Sequence, residues 1–310
     1  KLLDYYILFE GEEPFGSLVE IVLGGSKLSK PPLGCASLVE GHLQFKLLDF
    51  KKKPKQIDLP SPYLTGILDR FLLNPNIIPL FETNRGCPFA CSFCQTGEDY
   101  FNRTTMRPLG MIKEELDYIT HHMIKKSPGI FRMEFADSNF AMYKQDVEIC
   151  EHIRGLQDKY SWPRYINCTT GKNQPDRIIE AVSRLYPNSL VISNSMQSNN
   201  TETLEAVRRA NISLEKYTIV QTEIQRRGLR SKADLILGLP AETKETHFAA
   251  IFSLIDSGVQ EFTSYQAMIL KDADLGSKDK RASYGFKTKW RLIPIGLCLY
   301  EGANVSSIVP

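Results

Sequence analysis

Three cysteines, Cys87, Cys91 and Cys94, stand within eight residues of the chain. The spacers of three and two residues are short, so the three sulfurs converge on one point. Three thiolates can hold a four-iron cluster while one iron keeps no protein ligand. An incomplete protein ligand set leaves room for an external molecule, as at catalytic zinc sites. The spacing therefore predicts a 4Fe–4S cluster that binds a second ligand with its own nitrogen and oxygen donors.

A single zinc ion is the alternative occupant of this loop, and it requires a fourth protein ligand. His121, His122 and Cys150 are the candidates, but they fall on predicted helices and nothing brings them to the loop. The cysteines outside the loop share no spacing pattern and are predicted to be core or surface thiols; they are Cys35, Cys150, Cys168 and Cys298. Because the first residues show no secretory signal, this distribution favours a reducing cytoplasm.

Composition and charge narrow the class of protein. The chain has 310 residues, 42% hydrophobic and 24% charged, as in ordinary globular proteins. A net charge of +2 is too small to indicate a nucleic-acid partner or a membrane-surface patch. The apolar runs are far shorter than the roughly 20 residues of a transmembrane helix, so we expect no membrane span. The chain starts without Met, and we expect an excerpt of a longer protein.

Short apolar runs alternate with helical segments from Ile77 onward, which is the pattern of a parallel sheet with crossover helices. Strands are predicted at residues 77–83, 131–136, 165–169, 190–194, 233–237 and 262–269. Helices are predicted near residues 110–125, 144–160, 201–210, 214–227 and 242–257, and one more begins at Pro175. The six repeats predict an α/β fold, either a parallel barrel or an open wound sheet, with its active site in the loops after the strands.

The chain is predicted to contain three parts. Residues 1–76 show little periodicity and several Gly and Pro turns, which indicates the tail of one domain followed by a linker. Residues 77–275 hold the six predicted strands, and residues 276–310 begin a C-terminal extension. His42, in the first part, belongs to no ligand motif and is predicted to be a surface residue.

The cysteine loop and its setting resemble those of the radical S-adenosylmethionine (SAM) enzymes. Their signature is CxxxCxxC after the first strand, with an aromatic residue before the last cysteine, here Phe93. The resemblance covers the six-strand pattern and implies a partial (β/α)6 TIM-like barrel. It also implies that Cys87, Cys91 and Cys94 bind the 4Fe–4S cluster and that SAM binds the open iron. An electron from the cluster then splits SAM into methionine and a 5'-deoxyadenosyl radical.

The same resemblance implies a set of SAM-binding residues at the ends of the strands. Phe93 should lie near the adenine, and Asp137 should accept a hydrogen bond from the methionine ammonium. Gly238, after the fifth strand, should let the backbone approach the adenine ring. The full set of implied cofactor-binding residues is Phe93, Ala136, Asp137, Ser138, Asn139, Thr170, Ser195, Gln197, Ile236, Gly238 and Leu239.

Structural roles are the alternative for several of these residues. The segment 137–139 also suits an Asx-type helix entry. Thr170, Ser195 and Gln197 are equally compatible with ordinary loops. Glu242, which opens the helix after the fifth strand, is predicted to be structural rather than catalytic.

The first 25 residues and the linker near Leu59 resemble the end of the cobalamin-binding domain that precedes the barrel in one large class of radical SAM enzymes. This implies a Rossmann-like domain ahead of the barrel, cobalamin as a third cofactor, and methyl transfer as the reaction. The alternatives are a non-cobalamin member such as a methylthiotransferase, and a cluster-binding redox sensor without turnover. The resemblance also implies an electron donor such as flavodoxin or ferredoxin, and a small-molecule, lipid or peptide substrate.

Overall fold

The chain divides into two compact units, Lys1–Pro54 and Lys55–Pro310. The computed structural model describes residues 3–25, 30–47, 59–125 and 130–289. Cys298 and most of the predicted C-terminal extension lie outside the described residues.

The first unit contains one helix and a small antiparallel sheet. Its elements are β1 (Tyr5–Ile7), α1 (Glu12–Leu23), β2 (Cys35–Val39) and β3 (His42–Phe45). The strands pair in the order β1-β2-β3. Cys35 is buried in this sheet and His42 is exposed, which agrees with their predicted roles. The assignment of this unit to a cobalamin-binding domain stays a prediction.

Six parallel strands and one hairpin frame the second unit. In chain order the strands are β4 (Leu80–Phe81), β5 (Asn84–Arg85), β6 (Thr105–Met106), β7 (Arg132–Phe135), β8 (Tyr165–Asn167), β9 (Ile192–Ser193), β10 (Ser231–Leu237) and β11 (Glu261–Gln266). β4-β7-β8 and β9-β10-β11 are parallel sheets, and β5-β6 is the antiparallel hairpin. The N–H of Ile166 donates to the carbonyl of Ser189 at 2.7 Å and joins the two sheets. The fold is the predicted partial (β/α)6 barrel.

Helices connect the strands as the apolar pattern predicted. They are α2 (Asp69–Leu72), α3 (Leu109–Ile124), α4 (Lys144–Tyr160), α5 (Pro175–Arg184), α6 (Thr201–Ala206), α7 (Leu214–Arg226), α8 (Lys244–Asp256) and α9 (Lys278–Ser283). None of the described helices combines the length and apolar character that a membrane span requires.

Buried side chains at helical and strand spacing hold the helices against the sheet. Ile112 and Leu116 lie four residues apart on α3 and are fully buried. Met133 and Phe135 alternate along β7 and face the same core, where Phe81 from β4 also packs. Each such side chain contributes about 1.5–3 kcal/mol relative to an exposed position. This packing fixes the strand ends, from which the loops of the site emerge.

Part of the predicted linker packs into the barrel unit. Tyr63 and Leu72 are buried in the main hydrophobic core of that unit. The hydroxyl of Tyr63 also donates to the carbonyl of Leu80 in β4. Residues 59–76 are thus structurally continuous with the barrel, and the predicted domain boundaries stay predictions.

Helix α6 ends at Ala206, before the predicted boundary near residue 210. The carbonyl of Val207 accepts the N–H of Ser92 at 3.0 Å. Arg208 then has a left-handed backbone, with φ of 52°. A carbonyl bonded outside the helix and a positive φ both interrupt helical hydrogen bonding. The helix therefore ends where the chain meets the cysteine loop.

Asp146, in the first turn of α4, carries a buried carboxylate whose Oδ2 accepts the N–H of Tyr143 at 2.9 Å. Burial raises the pKa of Asp146 to about 7, whereas an unfolded aspartate titrates near about 4. The folded state therefore binds this proton more tightly than the unfolded chain does. The contribution of Asp146 to the free energy of unfolding is greatest below pH ~4 and falls as the pH rises to about 7.

An Asp146→Asn variant should not lose this part of its free energy of unfolding as the pH rises. Its amide carries no charge, and the amide oxygen can still accept the N–H of Tyr143. Its stability relative to the wild type should be greater at pH 8 than at pH 5 by on the order of 2 kcal/mol. Urea unfolding of anaerobically reconstituted protein at both pH values measures this difference. Glu151→Gln, which removes an exposed carboxylate from the same helix, is the control, and an equal effect of Asp146→Asn at both pH values would contradict the account.

Candidate active site

The three cysteines lie in the loop that the β5-β6 hairpin closes at its base. Backbone hydrogen bonds shape this loop around the thiols. The N–H of Cys87 donates to the carbonyl of Phe101 at 2.7 Å, and that of Cys94 donates to the carbonyl of Cys91 at 3.1 Å. The N–H of Gly97 then bonds the carbonyl of Cys94 at 3.0 Å. The loop therefore has a defined backbone that presents all three cysteines.

Two glycines allow the loop to fold this tightly. Gly86 has φ of 108°, a conformation that other residues rarely adopt. A Cβ at Gly86 would overlap the carbonyl oxygen of Arg103. A Cβ at Gly97 would overlap the carbonyl oxygen of Cys91. The chain can therefore pass close to the second cysteine only with glycine at position 97.

Ser92, between the second and third cysteines, attaches the loop to the barrel. Its N–H donates to the carbonyl of Val207, after α6, at 3.0 Å. Its carbonyl accepts the N–H of Leu275, beyond β11, at 2.8 Å. These two bonds place the thiols at the carboxyl-terminal ends of the strands, which is where parallel barrels carry their active sites.

The loop thiols are unpaired and have polar neighbours, which suits a thiolate-bound cluster. No disulfide joins cysteines among the described residues. Asn139 Nδ2 donates to Cys87 Sγ at 3.3 Å, and Thr96 Oγ1 lies 3.1 Å from Cys94 Sγ. Hydrogen bonds of this kind stabilise negative charge on cluster sulfurs and adjust the cluster potential. The donor set of three thiols with polar neighbours therefore fits a 4Fe–4S cluster.

Two cations flank the second cysteine, and the sequence did not single them out. Lys172 Nζ lies 3.7 Å and Arg209 Nη1 lies 3.9 Å from Cys91 Sγ. Burial lowers the pKa of both Lys172 and Arg209, and the thiolate of Cys91 acts in the opposite direction. Among 38 basic residues, nothing in type or spacing distinguishes these two. They provide positive charge where an anionic cluster or a carboxylate would bind.

Arg209 is held in place by groups other than the thiol. Its Nε donates to the carbonyl of Met196 at 3.2 Å and to Asn211 Oδ1 at 2.9 Å. Its Nη2 donates to the carbonyl of Ser195. The guanidinium is therefore pre-oriented by the loop after β9, with one nitrogen directed at Cys91.

Among the described residues, the candidate fourth ligands for zinc have other contacts. His121 and His122 direct Nδ1 at the carbonyls of Asp117 and Tyr118 on their own helix, at 2.7 and 2.9 Å. Cys150 is fully buried in the core. Within the described parts of the chain, no three His, Cys, Asp or Glu side chains are arranged to hold one metal ion.

Asp137 is bonded to the residues that precede the cysteine loop. Its carboxylate accepts the backbone N–H groups of Thr83 and Asn84 at 3.0 and 3.1 Å, and both side chains of these residues donate to it as well. Burial raises the pKa of Asp137 to about 6, while these bonds favour its ionised form. These bonds position the entry to the cysteine loop, and the contact of Asp137 with the methionine ammonium stays a prediction. Ala136 is exposed and Ser138 is half-buried beside it.

The predicted polar residues after β8 and β9 also form hydrogen bonds within the protein. The hydroxyl of Thr170 donates to the carbonyl of Ser193 at 3.1 Å and accepts its N–H at 2.8 Å, so it joins the two sheets. Ser195 Oγ donates to Asp234 Oδ2 at 2.7 Å. Gln197 bonds β10 through its backbone and keeps a half-buried side chain. These bonds give Thr170 a structural role, and its contact with SAM stays a prediction.

The predicted adenine-site residues come together. Phe93 from the cysteine loop and Ile236 from β10 pack against the same apolar cluster, whose buried core includes Leu239. Gly238, with φ of 87°, lies in the turn between them. No atom lies within 4 Å of the place where its Cβ would stand, so the backbone there faces open space. The turn therefore offers an uncovered backbone beside an apolar surface, as an adenine ring requires.

Comparison with known proteins identifies the family to which this chain belongs. Residues 81–252, more than half of the chain, match the radical SAM superfamily. The chain belongs to the radical SAM superfamily. This confirms the predicted enzyme class, and the predicted cofactors, a 4Fe–4S cluster and SAM, are those of this superfamily.

Two curated relatives are similar over most of this chain. They are the "Cobalamin-dependent radical SAM methyltransferase TokK" of Streptomyces tokunonensis and the "2-(S-pantetheinyl)-carbapenam-3-carboxylate methyltransferase" of Streptantibioticus cattleyicolor. Each is 30% identical over 246 residues, which cover 77% of this chain. The chain spans about a third of the length of these relatives, 35%.

Solved structures show the same fold. The radical SAM methyltransferase TsrM of Kitasatospora setae, solved with tryptophan and aza-SAM, superposes with a TM-score of 0.66 at 14% identity. That alignment covers 88% of this chain and 53% of TsrM. The cobalamin-dependent radical enzyme OxsB superposes with a TM-score of 0.56 at 16% identity, over 89% of this chain and 38% of its own. At these identities the likeness concerns the fold alone.

A Gly97→Ala variant should fold but fail to hold the cluster, because the added methyl group would displace the backbone of Cys91. Iron and sulfide content after anaerobic reconstitution should fall to a small fraction of the wild-type value. Gly155→Ala is the matched control, since nothing lies within 4 Å of its added Cβ in the middle of α4. That control should be stabilised by about 0.5–1 kcal/mol and keep its cluster. Full iron loading of Gly97→Ala would contradict the loop geometry.

Proposed function

We propose that this chain holds a 4Fe–4S cluster on Cys87, Cys91 and Cys94, binds SAM beside it, and cleaves SAM reductively to generate a 5'-deoxyadenosyl radical. The observation that carries this proposal is the attachment of the three-thiol loop, through Ser92, to the same end of the barrel as the Gly238 turn. When bound, the cluster supplies the electron for the cleavage of SAM. The protein residues bind, orient and shield the two cofactors.

The residues around the thiols divide into two groups. Asn139 donates to Cys87 Sγ and the Thr96 hydroxyl lies beside Cys94 Sγ, and polar neighbours of this kind can stabilise thiolate charge. Lys172 and Arg209 place positive charge beside Cys91. We propose that these two cations also attract the carboxylate of the methionine part of SAM, since charge-assisted bonds to carboxylates are among the stronger ones.

The opposite side of the site is apolar. Phe93, Ile236 and Leu239 form a surface next to the open turn at Gly238. We propose that the adenine of SAM lies on this surface, with ring atoms against the uncovered backbone of Gly238. Ala136 and Ser138 follow β7 and Ser195 and Gln197 follow β9 in the sequence. They stay proposed SAM contacts, as do Asp137, Asn139 and Thr170.

For the whole protein we propose cobalamin-dependent methyl transfer. Two curated relatives at 30% identity are named as methyltransferases, one of them as cobalamin-dependent, which favours this reaction over methylthiolation or redox sensing. We also propose flavodoxin or ferredoxin as the electron donor. The unpaired thiols of the described residues suit a reducing cytoplasm. A small molecule, a lipid or a peptide stays the proposed substrate class.

A Cys91→Ala variant should lose the iron–sulfur absorbance and all formation of 5'-deoxyadenosine. The measurement is chromatography of an anaerobic reaction of reconstituted protein with SAM and a strong reductant. Cys168→Ala, which changes a cysteine outside the loop, should keep both signals. Production of 5'-deoxyadenosine by Cys91→Ala, or its absence from a cluster-loaded wild type, would refute the proposal.

The positions of Lys172 and Arg209 beside Cys91 lead to a second prediction. Replacing Lys172 or Arg209 by Met should raise the Kd for SAM by about 10- to 100-fold, because each change removes one charge-assisted contact. Equilibrium binding to cluster-loaded protein measures this change. Arg208→Met is the matched control, because Arg208 is the exposed neighbour of Arg209 and pairs with Asp274 instead, at 3.0 Å. An unchanged Kd for SAM in both Lys172→Met and Arg209→Met would show that neither cation contacts SAM.

A further inference from the structure

Glu242 fixes the turn that follows β10. Its Oε2 atom accepts the backbone N–H of Gly238 at 2.9 Å, and only 1% of its side chain is exposed. The left-handed backbone of Gly238 is thus bonded to a buried carboxylate. This structural role agrees with the prediction made for Glu242. The conformation of the turn therefore depends on whatever holds that carboxylate in place.

His247 lies against the other oxygen of the same carboxylate. Its Nδ1 is 3.2 Å from Glu242 Oε1, and the residue is 5% exposed. Within the described part of the chain neither atom makes an aligned hydrogen bond, so their approach is a close polar contact between two buried groups. A carboxylate can only accept, and leaving both groups buried and unpaired is costly. The 3.2 Å contact with His247 is therefore the polar contact that the described residues offer this oxygen of Glu242.

Ser264 on β11 completes the chain of contacts. Its Oγ lies 2.8 Å from His247 Nε2. Either the hydroxyl or the ring nitrogen can be the donor in this contact, depending on the tautomer of the imidazole. His247 is itself placed by the first turn of α8, where its N–H donates to the carbonyl of Thr243 at 3.0 Å. Three successive polar contacts thus connect β11 to the turn at Gly238.

We propose that His247 is a positioning residue for SAM binding, which acts by holding Glu242 so that the Gly238 turn is formed before SAM arrives. The inference rests on the proposed function, in which the Gly238 turn binds adenine. A turn that is already formed removes an ordering cost from binding. The effect of His247 therefore falls on SAM affinity and not on the rate of the chemical step.

Two near-isosteric substitutions separate the two sides of the imidazole. The amide of Asn in His247→Asn can take the place of Nδ1 beside Glu242, whereas the longer amide of Gln in His247→Gln reaches toward Ser264. His247→Gln should raise both the Kd and the KM for SAM by about tenfold, with kcat for 5'-deoxyadenosine formation within about twofold of the wild type. His247→Asn should stay within about threefold of the wild type in Kd.

Amide hydrogen exchange without SAM reports on the turn directly. The peptide that contains Gly238 should exchange about tenfold faster in cluster-loaded His247→Gln than in the wild type or in His247→Asn, because less of the turn is held closed. Ser257→Ala is the control, since it removes another buried hydroxyl of the same region, bonded to the carbonyl of Ser253 at 2.6 Å, without touching Glu242. Its exchange at Gly238 and its SAM affinity should match the wild type.

Several outcomes would overturn the proposal. Unchanged exchange and affinity in His247→Gln, with SAM cleavage intact in the wild type, would reject the role of His247 while leaving the proposed function standing. An equal loss of thermal stability, cluster content and kcat in both His247 variants would assign the residue to the fold alone. Covalent labelling of Ser264 by a fluorophosphonate would assign Ser264, His247 and Glu242 to nucleophilic chemistry, since the order of groups is that of a hydrolytic triad. Failure of the wild type to bind SAM would remove the inference and the proposed function together.

Discussion

The two backbone hydrogen bonds of Ser92 are the constraint on which the rest of the site depends. They attach a loop that carries three thiols to Val207 on one side and to Leu275 on the other. The barrel supplies these two attachment points only because α6 stops at Ala206 and the chain returns toward the loop after β11. Without them the loop would keep the β5-β6 hairpin and its side-chain contacts but would lose its backbone attachment to Val207 and Leu275.

Electrostatics explains why this end of the barrel is built from buried polar groups. Asp137 binds four donors from Thr83 and Asn84, which anchors the beginning of the cysteine loop to β7. Lys172 and Arg209 stand on the far side of the loop, beside Cys91. Partly buried charges interact more strongly than exposed ones, because water screens them less. A negatively charged cluster therefore finds compensating charge and fixed dipoles already in place.

The sequence predicted the parts of the molecule that have local or periodic signals. The six strands follow from short apolar runs, and the cysteine loop follows from its spacing. Asp137 was recognised as important, but its bonds to Thr83 and Asn84 have no local signal, because these partners are more than 50 residues away. Lys172, Arg209 and His247 carry no local signal, since their roles arise when separate strand ends meet. The early end of α6 was missed for the same reason, because a distant Ser92 accounts for it.

The central claim is that three protein thiolates hold a four-iron cluster and leave one iron open to SAM. Mössbauer spectroscopy of anaerobic protein reconstituted with iron-57, recorded with and without SAM, tests it most directly. The account predicts that the signal of one iron among four changes when SAM is added, while the other three keep the parameters of thiolate-bound sites. Four iron signals that do not change when SAM is added, or a centre with a complete set of protein ligands, would contradict it.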